Sequence, residues 1–257
     1  MCQLFGVSAK EPVNIGEKLK LFWQNSCIHA HGWGYASLQP EGSQIAREAG
    51  QALSSKYINK WQERPICADK AFAHIRYATI GGLEIENCHP FAKRDSTGRE
   101  WVLMHQGTIF DYHPTNEYIF SQSGSTDSER ILLLLVDTVN RAIEENGGEL
   151  DSERRFAVIE NLIFDMAEGN KLNLAIYDGE LLYLHSNYRD TLYLSREDET
   201  LFFCTVKLFD GTWEPLPLCT LVSFKDANTE QFGSCHGKEY FDNEADQKYL
   251  YEGFANL

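Results

Sequence analysis

The chain has 257 residues and a formal net charge of −15. That length buries roughly three quarters of the unfolded surface, ample for one large domain or two small ones. So negative a balance, with no Lys/Arg cluster to offset it, repels polyanions and argues against nucleic acid and anionic membrane surfaces as partners.

Taken in order, the chain opens with Met1-Cys2 and the apolar run Gln3-Leu4-Phe5-Gly6-Val7. An initiator Met is removed when the next side chain is small, so the mature chain is expected to begin at Cys2 with a free α-amine. An α-amine has an unperturbed pKa of about 7.7–8.0 and can accept a thiol proton, giving a nucleophile with its own base. The alternative is an inert cysteine packed at the start of a buried strand. Gln3 to Ser8 reads as that strand. Ile15, Leu19, Phe22 and Trp23 then recur on one face of an amphipathic helix.

A strand is expected across His31 to Leu38, turning near Gly42 into Gln44 to Ala49, with a short helix over Tyr57 to Trp61. Lys70 to Thr79 reads as a strand on which His74 and Arg76 share a face. A buried Arg at its end needs an anionic partner, whether a structural carboxylate or a ligand. Gly81-Gly82 breaks the strand, and Asn87-Cys88-His89-Pro90 follows as a loop. Trp101 to His105 is a buried strand that stops at Gln106-Gly107, a pair that either donates two hydrogen bonds to an oxyanion or forms a turn.

Thr126-Asp127-Ser128-Glu129 is a capping box opening a helix that ends near Gly147-Gly148, with Asp127 in its first turn. A second helix spans Asp151 to Glu168. Short strands follow at Leu172 to Tyr177, Leu181 to His185, Thr191 to Ser195, Thr200 to Thr205 and Leu218 to Phe224, the first two joined by the Asp178-Gly179 turn. The tail from Asp242 to Leu257 is expected to pack as a helix. Without a basic leader or an apolar run approaching ~18 residues, a cytoplasmic protein with no membrane partner is expected. Seven cysteines without a C-x-x-C pair give neither a disulfide framework nor a zinc site, and no metal or cofactor is expected.

Several of these segments stand together in one known order: Met-Cys-x-x-x-Gly at the start, Gly32-Trp33-Gly34, His74-x-Arg76-x-Ala78-Thr79-x-Gly81, Asn87-x-His89-Pro90, His105-Gln106-Gly107 and Thr126-Asp127-Ser128-Glu129. In that order the chain resembles the class II, N-terminal-nucleophile glutamine amidotransferases. It is most similar to their small stand-alone, YafJ-like members, with residues 2–257 as a single domain. The resemblance implies an α+β fold of Ntn-hydrolase type, a four-layer αββα sandwich of mainly antiparallel sheets with the terminal Cys opening a central strand.

The resemblance also implies roles. Cys2 would attack the side-chain amide of glutamine to form a γ-glutamyl thioester, its amine carrying the proton to departing ammonia. Arg76 with Thr79 would hold the substrate α-carboxylate, Asp127 the α-ammonium, and the Gly107 N–H the oxyanion. Gln106 departs from the family, which has Asn as second oxyanion donor; its extra methylene reaches further. Three functions follow: a glutaminase passing ammonia to a separate synthase subunit or acceptor; a hydrolase of another γ-glutamyl amide or peptide, as in members resembling the ergothioneine-pathway enzyme; and a catalytically silent binding or regulatory domain.

Overall fold

The computed structural model describes residues 2–254. Its opening elements are β1 (Gln3–Asn14), α1 (Gly16–Gln24), β2 (Trp33–Ser37), β3 (Gln44–Glu48), α2 (Lys56–Trp61) and β4 (Cys67–Ile75). β1 runs past its expected end at Ser8 because it pairs with β4 along both halves, across an irregularity between Ser8 and Val13. β5 (Phe91–Arg94), which the sequence did not announce, pairs with β6 (Glu100–Thr108). α3 (Asp127–Asn146) and α4 (Ser152–Met166) follow.

Thr126 caps α3 by accepting from the Glu129 N–H, but the return half of the capping box goes elsewhere. The Glu129 carboxylate accepts from the N–H groups of Ser123 and Gly124, and so fixes the approach to the helix. Gly147 ends α3 in the left-handed region at φ 72°.

The second half supplies β7 (Lys171–Tyr177), β8 (Leu182–Ser186), β9 (Tyr193–Glu197), β10 (Thr200–Cys204), β11 (Glu214–Pro215), β12 (Val222–Lys225), β13 (Asn228–Phe232) and α5 (Glu244–Phe254). The end of the tail, residues 255–257, lies outside the described residues. The strands form a seven-stranded sheet, β11-β9-β10-β1-β4-β2-β3, and a six-stranded sheet, β13-β12-β8-β7-β6-β5. Every strand pairing is antiparallel.

Alternation along the strands builds the layers. Phe5, Val7, Ala71, Ala73 and Ile75 face outward onto Leu19, Phe22 and Trp23 of α1. Leu103, Leu172, Leu174 and Ile176 face outward on the other side, onto Ile131, Leu135, Ile159 and Ile163 of α3 and α4. The inner faces meet through Leu4, Phe72, Val102, Met104, Ala175, Leu184 and Phe203. Each such large apolar side chain contributes about 1.5–3 kcal/mol on burial. The result is the expected αββα sandwich, with β1 at the centre of its sheet. Gly6 has no side chain because Phe203, its partner on β10, fills the space a Cβ would need. Among the described residues no helix is long and apolar enough to cross a membrane.

The β7–β8 hairpin is anchored through Asp178, which is fully buried. One carboxylate oxygen accepts from the N–H groups of Glu180 and Leu181, the other from the Tyr183 hydroxyl at 2.7 Å and Arg155 Nε of α4 at 2.6 Å. Arg155→Ala leaves that carboxylate buried without its cation, and urea denaturation of the variant should show a loss of about 3–5 kcal/mol. A loss below about 1 kcal/mol would mean that water replaces the guanidinium.

Candidate active site

Cys2 continues the inward face of β1, one strand step beyond Leu4. Its Sγ–H donates to the Tyr77 carbonyl at 3.3 Å, and the Tyr77 N–H donates back to Sγ at 3.3 Å. The Tyr77 ring is stacked on His31 and met edge-on by His29. Burial pushes the Cys2 thiol up, while the Tyr77 backbone bond and the charge of Arg76 pull it down and Asp127 adds to the rise. The resting sulfur is therefore a neutral thiol that must give its proton to a base as it attacks.

Arg76 sits just past the end of β4, not within the strand, and is buried. None of its hydrogen-bond partners among the described residues is a carboxylate. The chain reverses at Gly81-Gly82, and three carbonyls converge on the guanidinium: Gly82 on Nη1 at 2.6 Å, Ile80 and Gly81 on Nη2 at 3.1 and 2.9 Å. Neutral carbonyls satisfy hydrogen bonds but leave the positive charge in place, and among the described residues no carboxylate forms an ion pair with it. Thr79 lies half-buried in the same loop and makes no hydrogen bond among the described residues.

That loop is tied to the start of α3. Asn87 donates to the Gly82 carbonyl and to Ser125 Oγ, and its Oδ1 accepts from the Ser125 N–H at 2.7 Å. Two residues on, the buried Asp127 accepts from the Ile109 N–H at 2.8 Å and from the Ser128 N–H at 2.9 Å. Its carboxylate thus joins the start of α3 to the chain leaving β6, beyond what first-turn stabilisation requires. The field of Asp127 reaches both Cys2 and Arg76, so the ends of β1, β4 and β6 come together at one edge of the sandwich.

β6 does not stop at Gln106-Gly107; it continues to Thr108 because it stays paired with β7. Gly107 is demanded by that pairing, since a Cβ there would overlap the Lys171 carbonyl and crowd His105. His105 lies between Ser128 Oγ at 2.9 Å and the Lys171 carbonyl at 3.0 Å. A carbonyl can only accept, so Nε2 carries a proton; burial lowers the pKa of the ring and keeps it neutral, which leaves Nδ1 to accept from Ser128 Oγ, whose other acceptor, Asp127 Oδ1, is farther at 3.4 Å. Gln106 points inward, and its Oε1 accepts from Asn173 Nδ2 at 2.5 Å. Beneath the site, His74 and His89 are buried with ring centroids 4.1 Å apart and with no hydrogen-bond partner on either ring among the described residues.

The sequence reading did not single out Asn173, nor the role of Tyr77. For Asn173 a signal existed: it is the one polar residue inside the buried run Leu172 to Tyr177. For Tyr77 there was none, because its backbone, not its side chain, meets the sulfur.

The fold is that of the Ntn-type amidotransferases. It superposes on the crystal structure of a predicted glutamine amidotransferase from Pseudomonas aeruginosa PA01 with a TM-score of 0.65 at 19% identity, over 89% of this chain and 99% of that one. It superposes on the glutamine phosphoribosylpyrophosphate amidotransferase of Bacillus subtilis with a TM-score of 0.64 at 15% identity, over 89% of this chain and 48% of that one. Residues 1–214 match the family model of class-II glutamine amidotransferases, and the chain belongs to that family. Among relatives, YafJ of Escherichia coli (strain K12) is 28% identical over 182 residues, 70% of either chain. A Haemophilus influenzae protein whose name assigns it to the glutamine amidotransferases is 27% identical over 188 residues, 72% of this chain and 63% of that one.

The buried histidines give the fold a pH dependence. Burial holds His74 down to about 3 and His89 well below the usual imidazole range. Between pH 7 and pH 5 the unfolded chain gains protons at these rings and the native chain does not, so stability falls with pH. For His74 alone the loss is about 2 kcal/mol across that window. Urea midpoints should drop steeply from pH 7 to pH 5, and His74→Phe should shallow the slope; an unchanged slope would show that the ring takes up a proton in the native state.

Proposed function

We propose that the chain, as one domain over residues 2–257, releases ammonia from the side-chain amide of glutamine with Cys2 as nucleophile. The observation that carries this reading is the meeting, at one end of the sandwich, of a half-buried thiol, a buried guanidinium held by backbone carbonyls and a buried carboxylate. An α-amino acid presents the complementary charges: its carboxylate to Arg76, with Thr79 alongside, and its ammonium to Asp127. The chain of the amino acid then extends toward the sulfur.

In this reading the mature chain begins at Cys2, and its α-amine takes the thiol proton as Sγ attacks the amide carbon. The negative charge that develops on oxygen is met by the Gly107 N–H and the Gln106 amide. The carbon–nitrogen bond breaks, the amine returns its proton to the leaving nitrogen, and ammonia departs. Water then opens the γ-glutamyl thioester and releases glutamate. Ammonia passes to a separate acceptor or synthase subunit. Supporting a working enzyme over a silent domain is the state of Gln106: its oxygen is held, its nitrogen is not.

Glutamine turnover by the Met-processed protein, measured as glutamate release, tests the proposal, with γ-glutamyl amides and peptides as competing substrates. Cys2→Ala should fall by about 10³-fold or more, and a chain that retains Met1, with the Cys2 nitrogen locked in a peptide bond, should be equally inactive. Turnover that survives with Met1 in place would refute the amine as base. Arg76→Lys should weaken glutamine binding about 10- to 100-fold, since a point charge does not replace the guanidinium fork. Equal rates on glutamine and on an amide lacking the α-carboxylate would remove Arg76 from substrate recognition.

A further inference from the structure

The inner face of the six-stranded sheet changes character in a single step. Met104, Ala175 and Leu184 form one cross-strand row on β6, β7 and β8, and all three are core residues. One strand step nearer the Cys2 end, the row reads Gln106, Asn173 and Ser186, all polar and all buried. A polar row at that depth is costly unless each group is paired, and its bonding runs in one direction.

The direction starts at a backbone carbonyl, which can only accept. Thr191 Oγ1 donates its proton to the Tyr188 carbonyl at 2.6 Å. Thr191 Oγ1 is then left to accept, and Asn173 Nδ2 donates to it at 2.8 Å. Ser186 Oγ has the Tyr188 carbonyl at 3.1 Å and Asn173 Oδ1 at 2.6 Å, and donation along the shorter contact fixes the other end of the same amide. Asn173 therefore presents a donor to Gln106, and Gln106 must answer with its oxygen, which accepts at 2.5 Å. Gln106 Nε2 makes no hydrogen bond among the described residues, and unlike the ring nitrogens of His74 and His89 it is not sealed from solvent.

We propose that Asn173 is the positioning residue that makes Gln106 an oxyanion donor. By occupying Oε1 it turns the NH2 group of Gln106 to the substrate side and freezes the extra torsion of a side chain one methylene longer than Asn. This rests on the glutaminase reading above and deepens it: the sheet row, not the side-chain length, decides which end of the amide faces the developing charge.

The test is a double-variant cycle. Asn173→Asp keeps the shape but offers Gln106 only acceptors, so the Gln106 amide should rotate and put its oxygen into the site. The kcat for glutamine should fall about 10²–10³-fold, the loss expected of a missing oxyanion donor, with KM within about threefold of the parent. In a Gln106→Ala background the same Asn173→Asp change should cost little more, because the group it positions is gone. A full additional loss in that background, or a loss confined to KM, would overturn the proposal and leave Asn173 a merely structural residue. The side-chain amide resonances of Gln106 in ¹⁵N-labelled protein give a readout that does not need turnover. They should shift on Asn173→Asp with the fold intact by circular dichroism, and unmoved resonances would overturn the proposal. A parent protein inactive on glutamine and on γ-glutamyl amides refutes the glutaminase reading instead, and the resonances still report whether Asn173 sets the amide.

Discussion

Strand alternation governs where chemistry can sit in this molecule. A side chain two residues along a strand returns to the same face, so the step from Leu4 to Cys2 and from Met104 to Gln106 keeps both on the faces that close against each other. Because the apolar rows fill the slab between the sheets, the polar rows fall at its edge. There the start of α3, the loop over Arg76 and the end of β6 can all reach them. A one-residue slip of β6 against β7 would exchange Gln106 with His105 and empty the site.

The thiol, the guanidinium and the carboxylate at that edge are tied into the backbone rather than to one another. Arg76 holds three loop carbonyls, Asp127 two backbone N–H groups, and Cys2 both backbone polar atoms of Tyr77. Backbone partners fix geometry without cancelling charge. A guanidinium and a carboxylate kept apart in this way keep their charges, as the proposed binding of a zwitterion requires, whereas a direct ion pair between them would consume both. Neutral His105, His74 and His89 add no charge to compete with Arg76 for an anion.

The helices and the Asp178-Gly179 hairpin could be read from the sequence because their determinants are local. The spacing of Leu19, Phe22 and Trp23 and the Thr126–Glu129 cap each lie within a few residues, and each element formed within a few residues of its expected span. What escaped was set by pairing across the chain. The 67-residue separation of Gln106 and Asn173 leaves no local trace, nor does the continuation of β6 to Thr108, which only its partner strand explains. The sequence pointed to an anion for Arg76 and did not foresee the three carbonyls that hold its guanidinium, because their convergence depends on how Gly81-Gly82 bends. The candidate site residues were named through the order of their motifs, whereas the scaffold around them was not.

The central claim is that Cys2, among seven cysteines, is the thiol set beside a site for an α-amino acid. It is tested most directly by treating the protein with an electrophilic glutamine analogue that alkylates thiols and mapping the adduct by peptide mass spectrometry. The account predicts a single adduct on Cys2, formed faster than with an analogue lacking the α-carboxylate and slowed by free glutamine. Adducts on the exposed Cys27, Cys67 or Cys235 with Cys2 unmodified would contradict it.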